Sequence, residues 1–244
     1  MSDVRLDVRD LRAGYGARVV IEDIALTLGG GEWFVLMGPN GCGKSTLLDC
    51  IVGRLRPAAG EIRIDGCPLG TDPAAAKHRL GYAGAPERLP PLLTARQCME
   101  VHAGAKGLST IHPALFTLAE ELQFLPYLES FVDTLSLGTR QKLAILLALI
   151  GEPRLIVLDE AFNGLDPASA LVLKRHLRKL LDQEGVAVLL ATHALDIVEH
   201  HATRAGLLID GRLRRTWSRA EIQAALAPGA GFEAELSAAM TAPA

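Results

Sequence analysis

The chain has 244 residues, 49% of them apolar and 22% charged, with a net charge of −3. That composition belongs to a folded globular chain with a sizeable core, and its bulk charge gives no reason to expect a nucleic-acid partner. Cys42, Cys50, Cys67 and Cys98 show no metal-ligand spacing and read as reduced thiols of a cytosolic protein; the longest apolar run, residues 143–150, is far short of the ~18 residues of a membrane span, and no leader is expected at the N-terminus.

The first 36 residues read as strands. Val4, Leu6 and Val8 alternate with polar residues, and Val19-Val20-Ile21 and Ile24, Leu26 and Leu28 follow with Gly punctuation. Tyr15 lies in the Gly14-Tyr15-Gly16 turn. Phe34-Val35-Leu36-Met37 is a buried strand leading into Gly38-Pro39-Asn40-Gly41-Cys42-Gly43-Lys44-Ser45-Thr46, which fits G-x-x-x-x-G-K-[ST] in full. Glycines let successive backbone N–H groups line an anion nest at the start of a helix expected over 45–55. Lys44 then supplies a point charge to the β- and γ-phosphates, and the Ser45 hydroxyl is a ligand for Mg²⁺. Cys42 has two readings: a thiol facing the phosphates, where alkylation would block ATP, or a buried and inert side chain.

Residues 61–66 give another short strand, and from residue 72 to 149 the texture turns helical. Pro86, Pro90 and Pro91 separate the strand-like 80–83 from a helix over 95–105 that Thr94 can cap; 114–122 repeats apolar residues at helical spacing. A further helix begins after Leu135-Ser136. This block, about 86–150, is expected to be an insertion in the nucleotide-binding core.

Leu155-Ile156-Val157-Leu158-Asp159-Glu160 has the continuous apolar run of a strand buried on both faces, with two carboxylates at its carboxyl end. Asp159 can hold Mg²⁺ there, and Glu160 can reach the water that attacks the γ-phosphate. Phe162-Asn163-Gly164-Leu165-Asp166-Pro167 is a turn with Pro167 at a first helical position. Residues 186–193 form a second buried strand with His193 at its carboxyl end. Residues 205–213 and 219–227 read as a strand and a short helix, with the cluster Arg212, Arg214 and Arg215 as a solvated strand end. From Pro228 to residue 244 the tail is Ala/Gly-rich and expected to pack loosely.

In this order the motifs resemble the ATP-binding cassette (ABC) ATPases, over nearly the whole chain. The resemblance implies an α/β fold of the P-loop NTPase type, with a mostly parallel core sheet, an N-terminal antiparallel β subdomain and an inserted helical subdomain, all within residues 1–227. It implies that Tyr15 stacks on adenine, that Ser136 and Gly138 of Leu135-Ser136-Leu137-Gly138-Thr139-Arg140-Gln141-Lys142 contact the γ-phosphate held by an opposite subunit, that 163–166 is the D-loop, and that His193 senses the γ-phosphate. The forms of the signature and D-loop are most similar to cassettes of the ABC-2 export type.

Leu137 replaces a small residue of the signature, and Ala161 stands where proline usually follows the catalytic glutamate. Ala85 occupies the Q-loop position whose glutamine touches Mg²⁺ and couples to the membrane subunit; Glu87 could substitute if the loop is shifted. The expectation is an ATPase subunit on the cytoplasmic face of the membrane, paired head-to-tail with a second cassette and powering a separate permease. The alternatives are a soluble cassette in assembly or repair, and a slow regulatory ATP-binding subunit.

Overall fold

The computed structural model describes residues 3–226 and 231–241. In chain order these form β1 (Val4–Tyr15), β2 (Arg18–Gly29), β3 (Trp33–Met37), α1 (Lys44–Ile51), β4 (Ala59–Ile64), β5 (Cys67–Pro68), α2 (Pro73–His78), β6 (Leu80–Ala83), α3 (Ala95–Ala105), α4 (Pro113–Glu121), α5 (Leu137–Leu149), β7 (Leu155–Asp159), α6 (Pro167–Glu184), β8 (Ala187–Ala191), α7 (Leu195–His201), β9 (Arg204–Ile209), β10 (Arg212–Ser218), α8 (Arg219–Ala225) and α9 (Gly231–Thr241).

Two sheets organise the molecule. An antiparallel sheet runs β2-β1-β4-β5, and a second runs β10-β9-β3-β8-β7-β6. In the second, β9, β3, β8, β7 and β6 are parallel, and β10 is an antiparallel edge. The continuous apolar runs follow from burial on both faces. Phe34 and Leu36 of β3 face a core shared with the antiparallel sheet and α1, while Trp33, Val35 and Met37 face a core shared with α6, α7 and α8. Strands β3, β7 and β8 therefore end side by side, and the phosphate loop, the Asp159-Glu160 pair and His193 all leave from the same edge.

Between β6 and β7 the helices α3, α4 and α5 pack around a third core that includes Met99, Leu118, Phe124 and Leu143. A capping box starts α3, with the Thr94 side chain accepting from Gln97 N and Gln97 returning to Thr94 N. Lys106, at the end of α3, donates to the carbonyls of Leu80 and Ile150, each at 2.9 Å, and so ties this helical group to β6 and to the end of α5.

The structure corrects three sequence expectations. The helix expected over 45–55 ends at Ile51, because Gly53 turns into the left-handed region at φ 69°. The strand expected over 205–213 is a hairpin of β9 and β10, which turns at Asp210-Gly211. The loosely packed tail instead carries α9 over 231–241; residues 227–230 and 242–244 lie outside the described residues. Helix α9 is fixed by Phe232, fully buried and edge-on to Trp217 at 5.3 Å between ring centroids, and by Arg215 pairing with Glu235 at 3.1 Å. Arg212 pairs with Glu22 at 2.7 Å and Asp23 at 2.8 Å. No helix among the described residues is long and apolar enough to cross a membrane.

Burial of a phenylalanine is worth about 3–5 kcal/mol when it is truncated to alanine. Phe232→Ala is expected to release α9, read as loss of amide-exchange protection across 231–241 with protection retained in β3, β7 and β8.

Candidate functional site

The loop from Gly38 to α1 is held by close backbone approaches. Gly38 and Gly43 have φ of 152° and 111°, conformations that a side chain would strain. Space is also closed: a Cβ on Gly38 would overlap the Leu208 carbonyl, and one on Gly43 would lie 2.6 Å from Ile21 Cγ2. The loop is pinned again where Gly211 N donates to Cys42 O at 3.0 Å. Pro39, Asn40, Gly41 and Ser45 are exposed, whereas Lys44 and Thr46 are buried. Lys44 Nζ lies inside the loop's concavity, donating to Gly38 O at 2.6 Å and Pro39 O at 3.2 Å.

Cys42 belongs to the buried alternative. Its side chain is 6% exposed and packs into the core beneath the loop, and burial pushes its thiol up from the ordinary range.

Two side chains from just beyond β7 and β8 gather near Lys44. His193 Nε2 is 3.4 Å from Lys44 Nζ and 3.5 Å from Glu160 Oε1. One ring nitrogen cannot accept from lysine and donate to a carboxylate at once. The ammonium has only donors, so Nε2 accepts from Lys44 when it carries no proton and donates to Glu160 when it does. Glu160 itself sits at φ 52°, a sparsely populated conformation for a side-chain-bearing residue. Its backbone N–H donates to Ala191 O at 2.9 Å, and Asn163 Nδ2 donates to its Oε2 at 3.1 Å. Asn163 thus orients the carboxylate, a role that its place in the turn did not reveal.

Asp159 is half-buried. Burial first, then the charges of Glu160 and Asp49, push its carboxyl up, against the lowering effects of Lys44 and Arg88. Asp49 lies one helical turn beyond Ser45 on α1, hence on the same face. Residues 84–89 make the neighbouring wall. Ala85 is exposed and leads into a 3-10 turn, Pro86–Arg88. Glu87 is exposed as well, and the charge of this loop that acts on Asp159 is the Arg88 guanidinium.

The remaining sequence-predicted residues stand further out. Tyr15 is 54% exposed at the β1–β2 corner, and β2 reaches the phosphate loop through Ile21. Ser136 caps α5, accepting from Thr139 N at 3.2 Å. Gly138 abuts Gly164, whose carbonyl would lie 2.5 Å from a Cβ there, so the signature and the 163–166 turn form one surface. Leu137 is exposed on that surface. Asp166 caps α6; hydrogen bonds from the Ser169 side chain and backbone, then from Lys142, hold its carboxyl well below the usual carboxylate range.

A model of the family described as "ABC transporter" matches residues 21–163 of this chain. The chain belongs to the ABC transporter family. The cassette is 32% identical over 213 residues to the Nod factor export ATP-binding protein I of Bradyrhizobium diazoefficiens, covering 86% of this chain and 69% of that protein. It is 32% identical over 214 residues to the uncharacterized ABC transporter ATP-binding protein YdbJ of Bacillus subtilis, covering 88% and 69%. A solved ATP-binding subunit of an ABC transporter superposes with a TM-score of 0.87 at 30% identity, covering 97% of this chain and 99% of that one. The dimeric cassette MJ0796 shares the fold, with a TM-score of 0.79 at 24% identity, covering 88% and 98%. The fold class read from the sequence is therefore the observed one, and the cassette is an ATP-binding, ATP-hydrolysing module.

Buried thiols with raised affinity for the proton alkylate slowly. Iodoacetamide is expected to label the half-exposed Cys67 of the native protein and to spare Cys42 equally with and without MgATP, as read by peptide mass spectrometry. Labelling of Cys42 that ATP suppresses would return its thiol to the phosphate side.

Proposed function

We propose that the cassette is the ATP-hydrolysing subunit of a transporter, bound on the cytoplasmic face of the membrane to a separate permease of the ABC-2 type and working in the export direction. The observation that carries the hydrolytic part is the meeting of Lys44, His193 and Glu160 within 3.5 Å contacts at the mouth of the phosphate loop. Export is supported by the Nod factor export relatives and by the forms Leu135-Ser136-Leu137-Gly138-Thr139-Arg140-Gln141 and Phe162-Asn163-Gly164-Leu165-Asp166-Pro167.

The backbone N–H groups of residues 40–46 and the Lys44 ammonium hold the β- and γ-phosphates, and Tyr15 stacks on adenine. Ser45 and Asp159 are the candidate Mg²⁺ ligands. They fit: both offer hard oxygens, and Asp159 faces a surplus of negative charge from Glu160 and Asp49 that a divalent cation offsets. Bound there, Mg²⁺ would supply positive charge that offsets the charge of the phosphates.

Glu160, aimed by Asn163, accepts a proton from the attacking water as its oxygen bonds to the γ-phosphorus, while the bond from that phosphorus to the bridging oxygen breaks and ADP leaves with the electron pair. His193 steadies the γ-phosphate from beside Lys44. Positioning and fixed charge supply the catalysis, as phosphoryl transfer requires. Ser136 and Gly138 lie on the surface formed with residues 163–166, and their bonds and close approaches run to α5 and Gly164. They serve the nucleotide of a second cassette docked head-to-tail, whose own signature completes the site described above.

Glu160→Gln keeps the shape and the Asn163 bond but removes the base. ATP binding is expected to survive, with steady-state hydrolysis falling by roughly 10²–10⁴. Turnover near that of the natural chain, measured by phosphate release, would remove Glu160 from the role.

A further inference from the structure

The wall beside Asp159 contains a contact that none of the motifs accounts for. Helix α1 starts at Lys44 and Ser45, and just beyond its end Arg54 reaches across to β6. The Arg54 guanidinium lies 4.6 Å over the Tyr82 ring centroid, and its Nη1 donates to Tyr82 Oη at 3.2 Å. The same Nη1 is 3.8 Å from Asp49 Oδ1 on α1. Tyr82 is paired in register with Val157 of β7, two residues before Asp159. Its phenol folds back over the chain that follows: a Cβ on Gly84 would overlap Tyr82 Oη. Ala85 comes next. The fields of Asp159, Asp49 and Arg88 all reach this phenol.

We propose that Arg54 and Tyr82 are positioning residues for ATP hydrolysis, clamping the backbone at Gly84 so that the 84–88 loop keeps its place against the nucleotide site. In a cassette with alanine at position 85, no side chain of that residue can bind a metal or a phosphate to fix the loop from within. The clamp fixes it from behind, through the helix that also carries Lys44 and Ser45. A guanidinium suits the task because it stacks on a ring and donates in a fixed fork, which an ammonium does not reproduce. Arg54 and Tyr82 also line a cavity of about 520 Å³ between the nucleotide-binding core and the helical group, together with Ala85, Arg88 and Lys106.

This inference rests on the hydrolytic reading above, and the test separates the two. On the full chain, ATP turnover is measured for the natural protein, Arg54→Ala, Arg54→Lys, Gly84→Ala and the Arg54→Ala/Gly84→Ala double variant, with thermal unfolding as the folding control. Gly84 is outside the left-handed region, so alanine there is tolerated by the backbone and acts by pushing the Tyr82 phenol away. Arg54→Ala and Gly84→Ala are each expected to lower kcat by about tenfold with KM for ATP within about twofold, because loop position and not nucleotide affinity is lost. The double variant is expected to be no worse than the poorer single variant, since both loosen one contact. Arg54→Lys is expected to fall with Arg54→Ala. Natural-level kcat in Arg54→Ala, a loss confined to KM, full activity in Arg54→Lys, or multiplying effects in the double variant would each overturn the clamp. A natural chain that binds ATP without turning it over would instead overturn the hydrolytic reading.

Discussion

The phosphate loop is wedged between two strands that come from opposite ends of the chain. Gly38 presses on the carbonyl of Leu208 in β9, Gly43 presses on Ile21 in β2, and the turn after β9 returns at Gly211 to bond with the Cys42 carbonyl. Gly211 in turn accepts from Glu22 N at 2.9 Å, so the antiparallel sheet, the hairpin and the loop are locked as one body. A loop pre-shaped in this way loses little further conformational freedom when it meets an anion, and preorganised donors are what electrostatic catalysis depends on. Cys42 takes part through packing: its side chain plugs the core beneath the nest.

Around that fixed loop, the parallel sheet delivers the remaining chemistry by register alone. β8 pairs with both β3 and β7, so His193 leaves beside the loop and Glu160 leaves beside His193. The local conformation of Glu160, in the left-handed region and tethered by Asn163, aims its carboxylate towards His193. Strain of this kind, of order 1–3 kcal/mol, persists where surrounding bonds over-determine it.

Much of this was legible in the residues. The G-x-x-x-x-G-K-S run, two apolar strands ending in Asp-Glu and Thr-His, and their order along the chain gave the sheet and the central site, because each is a local pattern with a local physical cause. The Asp210-Gly211 turn is a local hairpin signal masked by the apolar residues around it. Pairings between residues far apart in the chain left no such trace. The Ala/Gly-rich segment hid Phe232, whose partner Trp217 fixes α9. The Arg54–Tyr82 contact spans 28 positions and joins a helix end to a strand, with nothing in either segment to announce it. Ala85 was visible as a departure, but what stands behind it was not.

The surface carrying Ser136, Leu137, Gly138 and the 163–166 turn gives the account its central claim, that each ATP is hydrolysed between two copies. Mixing two inactive variants tests it most directly: Lys44→Ala, which damages the phosphate loop, and Ser136→Arg, which blocks the signature. In random two-fold pairs, half are hybrids and each hybrid holds one intact site of two, so an equal mixture should recover about a quarter of the natural turnover. A mixture as inactive as its two components would contradict the shared site.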